Sequence, residues 1–228
     1  MNPERRRSFL VRTLLIAIAG AVAAAYANDA GNTPTKPPPA PAASTLIVPN
    51  EQLMTIGSLP DLVQGSPSAS ITIIEYGSTT CSHCAAFHEA TWPELKAKYI
   101  DSGRAKFILR EFPLDPLATA SFMLARCAGP DMRNVVVDQL LSQQKVWAFV
   151  DKPLEALLLL VEQNGISQTD AEACLKNEDL YRRVRESRER AASAFNIDST
   201  PTFFIDGLKL KGELMISDFD RVIGPPSK

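Results

Sequence analysis

The chain of 228 residues predicts an α/β fold in two halves with a helical domain inserted between them, preceded by a signal peptide and a Pro-rich linker. Three observations carry that prediction. A βαβ pattern opens the folded part, a stretch of about eighty residues without strand periodicity follows, and a ββα pattern closes it. The composition, 45% hydrophobic and 22% charged, is that of a globular chain with a sizeable core rather than a disordered one. Lys and Arg number 24 against 26 acids, with no basic stripe, so nothing in the charge balance points to nucleic acid.

Residues 1–27 read as a signal peptide. Arg5, Arg6 and Arg7 precede an apolar run from Leu14 to Ala25 that closes on Ala25-Tyr26-Ala27, and cleavage is expected after Ala27. An uncleaved membrane anchor is the competing reading, but Arg12 interrupts the run and leaves about 15 apolar residues where roughly 20 span a bilayer. Arg6-Arg7-Ser8-Phe9-Leu10 resembles the twin-arginine export motif, with Val11 where that motif has Lys. Residues 28–45 hold Pro37-Pro38-Pro39-Ala40-Pro41, which packs into no element and makes an extended spacer. The folded part is expected from residue 46.

The first half, 46–113, begins its regular structure with Ile71–Tyr76, a buried strand, and continues into a helix from Cys81 to Tyr99 with a kink at Trp92-Pro93. Ala105–Phe112 supplies a parallel partner strand. Residues 114–195 form the insertion. Its expected helices are Leu117–Ala128, Arg133–Gln144, Pro153–Asn164, a short one around Cys174 with Thr169 and Glu172 as a capping box, and the polar Asp179–Phe195. The arginines of the last helix alternate with acids, the pattern of a solvated face. The second half, 196–228, holds Thr202–Ile205, an Asp206-Gly207 hairpin turn, Leu208–Lys211, and a helix Ile216–Ile223 with Ser217 as its cap. This order is the thioredoxin fold with an inserted helical domain.

Four cysteines are too few for a disulfide-rich miniprotein, so their spacing carries the information. Cys81-Ser82-His83-Cys84 stands where the first strand hands over to the first helix. There the free backbone N–H groups and the positive end of the helix dipole favour a thiolate. Cys81 is expected to be the nucleophile, Cys84 its buried partner in a redox-active disulfide, and His83 a source of hydrogen bonding or charge to the Cys81 thiolate. Cys127 and Cys174 are left over as an even pair, for which an exported chain predicts a structural disulfide. An electron relay to the active pair is the alternative.

Ile73-Ile74-Glu75-Tyr76, Cys81-Ser82-His83-Cys84, Phe112-Pro113-Leu114-Asp115 and Ser199-Thr200-Pro201-Thr202-Phe203-Phe204 resemble the DsbA family of bacterial periplasmic thiol-disulfide oxidoreductases, over roughly Leu46 to Ile223. The resemblance implies a periplasmic disulfide donor without a cofactor, acting as a monomer on reduced or unfolded exported proteins and reoxidised by a DsbB-like membrane partner. It implies that Thr200-Pro201, with a cis peptide bond, shapes the substrate groove beside the cysteines. It further implies that Glu75 lies buried beneath the disulfide and assists proton movement to Cys84. A carboxylate that reaches water or a Lys is the alternative for Glu75. Ser82 stands where the family commonly has Pro, which bears on oxidising strength.

Two rival functions follow from the same residues. An isomerase or reductase shares the fold, but isomerases of this compartment bring a dimerisation domain, and the segment before Ile71 is too short to hold one. Cys81, Cys84 and His88 together would suit a metal-binding or metallochaperone module. With two histidines in the chain and no second ligand cluster, no metal is expected, and His88 reads as an ordinary helix residue near the site.

Overall fold

The computed structural model describes residues 47–225 apart from Ile56. The signal peptide, the linker and the start expected at residue 46 lie outside the described residues. No described helix is long and apolar enough to cross a membrane.

Strand β1 is Val63–Gln64, β2 Ile71–Gly77, β3 Ala105–Glu111, β4 Thr202–Ile205 and β5 Leu208–Lys211, assembled in the order β1-β3-β2-β4-β5. β2 runs parallel to β3, with Ile73 opposite Phe107, and antiparallel to β4, with Ile74 opposite Phe204. Alternation sorts the side chains onto two faces. Ile73, Phe107, Leu109, Phe203 and Ile205 share one core, which also takes in the inserted helices. Ile74, Tyr76, Ile108 and Phe204 share the other, with Leu53, Ala191 and Phe195. Glu75 therefore faces the same side as Ile73, and its fate is decided by what covers that side.

β1, which pairs antiparallel with β3, and helix α1 (Asn50–Met54) are not predicted by the sequence. Two strand residues and five helical ones are too short to register a period. The helix expected from Cys81 to Tyr99 is divided into α2 (Ser82–Ala90), α3 (Trp92–Leu95) and a π turn, Lys96–Ile100. The break falls at Thr91, directly before the expected Trp92-Pro93 kink, where Pro93 brings no N–H to the ladder.

The insertion contains α4 (Pro116–Cys127), α5 (Pro130–Ser142), α6 (Gln144–Trp147), α7 (Pro153–Glu162), α8 (Gln168–Leu175) and α9 (Glu178–Phe195). α5 starts three residues before the expected Arg133, because Pro130 takes the first turn, where a missing N–H is harmless. α8 is capped by the Ser167 hydroxyl, which accepts from Asp170 N–H at 3.2 Å; this corrects the box expected at Thr169 and Glu172. On α9, Arg182 pairs with Glu186 and Arg185 with Glu189 along the exposed face. Cys127 and Cys174 are joined in a disulfide that ties α4 to α8.

Arg133 is fully buried and donates from Nη2 to Glu111 Oε1 at 2.7 Å and to Leu109 O at 3.0 Å, while Arg126 Nε donates to the same carboxylate at 2.8 Å. Two guanidinium groups from the insertion thus close on the end of β3. Burial opposes ionisation of Glu111, but the two arginines outweigh it and hold the carboxyl below its ordinary range.

The chain's last described helix is α10 (Ile216–Ile223). Its cap is Met215, whose N–H is taken by Asp218 Oδ2 at 2.9 Å, so the boundary lies two residues before the expected Ser217. The Asp206-Gly207 hairpin turn has φ of 45° and 90°. A side chain at Gly207 would collide with Val48 O, in a backbone region L residues rarely adopt. Gly207→Ala is expected to lower stability by about 1–3 kcal/mol, measured as the denaturant midpoint at unchanged slope.

Candidate active site

Gly77 ends β2, and the turn Ser78–Thr80 delivers Cys81 as the residue immediately before α2. That turn is fastened from outside. Thr80 Oγ1 donates to Asp115 Oδ2 at 2.5 Å, and Thr79 Oγ1 and Ser121 Oγ are 2.5 Å apart. The buried Gln144 side chain donates from Nε2 to Thr79 O at 2.7 Å and to Cys81 O at 3.0 Å. The helical insertion therefore holds the backbone of the reactive turn. Nothing in the sequence marks Gln144 for this; it is one polar residue among several near the end of α5.

Cys81 and Cys84 are both free thiols here, the first slightly exposed and the second sealed in the core. Cys81 Sγ is 3.3 Å from Thr200 O, and the Thr200–Pro201 peptide bond is cis. Thr200 Oγ1 is buried with no partner among the described residues. The Cys81 thiol is pulled down to about 5, first by hydrogen bonding from Cys84, against the opposing effect of burial, with help from Thr200 and from the backbone N–H groups of Cys84 and His83. Cys84 moves the other way. Burial pushes it well above the ordinary thiol value, and its bond to Cys81 and the charge of Glu75 add to the push.

His83 is placed differently from expectation. Its imidazole is 70% exposed and lies 3.4 Å from Glu213 Oε2, so what it offers Cys81 is its backbone amide and not its ring. The second residue of a helix points its side chain outward while its N–H faces the capping position, which is why the two parts separate.

Glu75 is fully buried, and its partner is a histidine rather than a Lys: Oε2 lies 2.9 Å from His88 Nε2. His88 itself is buried, which corrects its reading as an ordinary helix residue, and its Nδ1 lies 3.4 Å from Asp138 Oδ1 of α5. Among the described residues, no group of three or more His, Cys, Asp or Glu side chains is arranged to hold a metal ion. Beside α2, a groove of about 540 Å³ is bordered by Ser82, Ala85, Glu89, Gln144, Val146 and Phe149. Val146 and Phe149 are 63% and 62% exposed, so its far wall is apolar.

Comparison with known proteins follows the same lines. The family described as Thioredoxin matches residues 58–224. A Rickettsia conorii protein whose name proposes a protein-disulfide oxidoreductase is 32% identical over 154 residues, covering 65% of this chain and 54% of that protein. The chain thus spans about half the length of the curated relatives it matches. Among solved structures, alpha-DsbA1 of Wolbachia pipientis superposes with a TM-score of 0.71 at 27% identity, over 77% of this chain and 94% of that one. BdbD of Bacillus subtilis shares the fold, with a TM-score of 0.60 at 18% identity over 72% of this chain and 90% of that one. Since the matched segment takes in all five strands, the inserted helices and the reactive turn, the chain belongs to the thioredoxin family.

Proposed function

We propose that the protein is an exported thiol-disulfide oxidase that donates the Cys81–Cys84 disulfide to reduced or unfolded exported proteins. The observation that carries this reading is the placement of the two thiols on a single helical turn: Cys81 stands immediately before α2 and 3.3 Å from Thr200 O, where its thiol is drawn down to about 5, while Cys84 is sealed in the core and pushed up. A stabilised Cys81 thiolate makes the reduced protein the lower-energy form, and a disulfide whose reduced form is stabilised is an oxidant, the behaviour for which DsbA is itself the standard example.

In the first step a substrate thiolate attacks Cys81 Sγ. The bond to Cys84 breaks, and its electron pair goes to Cys84 Sγ, which takes a proton because its affinity for one is high. A second substrate thiolate then attacks the substrate sulfur of the mixed disulfide, and Cys81 departs as the thiolate that α2 and Cys84 stabilise. The Thr200 backbone, 3.3 Å from Cys81 Sγ, is suited to pair with an extended substrate segment, and the groove walled by Val146 and Phe149 to receive its apolar side chains. A DsbB-like membrane partner would restore the disulfide. Export to an oxidising compartment is supported by the Cys127–Cys174 bond and by the leader pattern of residues 1–27.

The test is the equilibrium of the purified protein with glutathione buffers, with free thiols at Cys81 and Cys84 counted by mass spectrometry. A potential well above that of the glutathione couple is expected, together with oxidation of a reduced two-cysteine peptide in stoichiometric amount. A low, thioredoxin-like potential would overturn the oxidase and leave a reductase.

A further inference from the structure

Beneath the two cysteines lies a line of polar groups in an otherwise apolar core. Glu75 Oε2 lies 2.9 Å from His88 Nε2 in a hydrogen bond, and Asp138 Oδ1 lies 3.4 Å from His88 Nδ1, within ion-pair distance but without hydrogen-bond geometry. The Asp138 side chain is 36% exposed, whereas those of Glu75 and His88 are 0% and 1% exposed, so the line runs from the interior to the α5 surface. At its inner end Glu75 Oε1 is buried with no partner among the described residues. That oxygen and Cys84 Sγ border one small space: a side chain at Gly77 would stand 2.9 Å from Oε1 and 3.7 Å from Sγ.

His88 is held in place by rings on both sides, with the Phe87 and Trp92 centroids 5.3 and 5.8 Å away. The charged groups that act on it are Glu75 from β2 and Asp138 from α5, and Cys84 stands one turn back on its own helix. Burial alone would discharge the imidazole, but the two acids outweigh burial and raise it to about 9.

We propose that His88 is the internal proton donor for Cys84, acting through Glu75, and that Asp138 is the positioning residue that keeps the imidazole turned with Nε2 toward Glu75. The proposal rests on the oxidase reading and adds to it the source of the proton. When substrate attack breaks the Sγ–Sγ bond and its electron pair goes to Cys84, the Nε2 proton passes to Glu75 Oε2. The carboxyl group then turns and gives it to Cys84 Sγ. Before transfer the group holds an imidazolium, a carboxylate and a thiolate; afterwards it holds a neutral imidazole, a carboxylate and a thiol, so charge is conserved within the core. Reoxidation runs the same transfer backwards, and the proton returns to His88.

The chain has two histidines, so each imidazole gives one resolved signal in a proton–carbon NMR titration, and exposed His83 serves as the internal reference. The test combines that titration with stopped-flow reduction of the disulfide form by glutathione, the rate being expressed per glutathione thiolate. For the wild type, the rate is expected to be flat across neutral pH and to fall as the His88 signal titrates, near 9. Asp138→Asn, a change at a partly exposed position, is expected to move both the signal and the alkaline fall to lower pH by about one unit or more, as loss of a neighbouring carboxylate requires. His88→Gln is expected to remove the fall and lower the plateau about tenfold or more, within the range of general acid catalysis. Asp131→Asn, at the exposed start of α5, should leave both unchanged. A rate profile that stays put while the His88 signal shifts in Asp138→Asn would overturn the proposal, as would an unshifted signal. A wild-type disulfide that fails to react with thiols at all would instead overturn the oxidase reading, and the proton donor with it.

Discussion

Cys81→Ser is expected to abolish disulfide donation, leaving only uncatalysed thiol exchange in an assay of oxidation of a reduced two-cysteine peptide. Hydroxyl oxygen neither forms the disulfide nor leaves as a stable anion near neutral pH. Cys84→Ser should retain the first nucleophile and accumulate mixed disulfides with substrate, visible by mass. The thiolate absorbance of the reduced wild type should titrate with a midpoint of about 5 and vanish in Cys81→Ser. The same shift has a consequence for stability. The folded value lies below the roughly 8.5 of an unfolded cysteine, so the contribution is complete above that value and is lost as pH falls through the folded one. At neutral pH it amounts to at most roughly 2–3 kcal/mol in favour of the reduced folded protein, trimmed by solvent screening at the open side of the thiolate. The reduced form should therefore resist denaturant better than the disulfide form at pH 7. The gap should narrow toward pH 5, and Cys81→Ser should show no such dependence on that site.

The Cys127→Ala, Cys174→Ala double variant is expected to lose about 4 kcal/mol of stability, from loop entropy restored to the unfolded chain. The two residues are 47 apart, and in the fold they join the exposed end of α4 to the buried face of α8. For a chain of this size the loss corresponds to a fall in melting temperature of about 10 °C, measured by thermal denaturation. Exchange at Cys81 should survive at temperatures where the variant remains folded. Loss of exchange in a folded variant would instead favour the electron-relay alternative for this pair.

Much of the fold is legible from short-range chemistry. The runs Ile71–Tyr76 and Thr202–Ile205 are mostly apolar and buried on both faces, as a covered strand requires, and Asp206-Gly207 fits a turn that needs positive φ at both residues. Position at a strand-to-helix junction singles out Cys81 and Cys84. The rest depends on contacts between distant parts of the chain. β1 is strand only because Val63 and Gln64 lie along β3, and Glu75 finds His88 only because alternation turns it toward α2. Gln144 and Asp138 reach the site from an insertion whose docking no local pattern encodes. Caps slip by two residues for a similar reason: Ser167 competes with Thr169, and the choice is made by how α8 packs.

The sheet margins bear on what such a protein can safely touch. At one edge β1 has only two residues; at the other, β5 carries the half-buried Lys211 and turns Lys209 inward to donate to Phe195 O at 2.9 Å and Asn196 O at 2.6 Å, and Ile47 and Val48 cross its end, with Val48 N–H donating to Gly207 O at 2.9 Å. Unfolded chains carry exposed strand-forming segments, and an open edge would recruit them into cross-chain ladders. Short, charged and capped margins deny them that template. Sheet edges closed in this way resist edge-to-edge pairing, whether with a second copy of the chain or with any unfolded one.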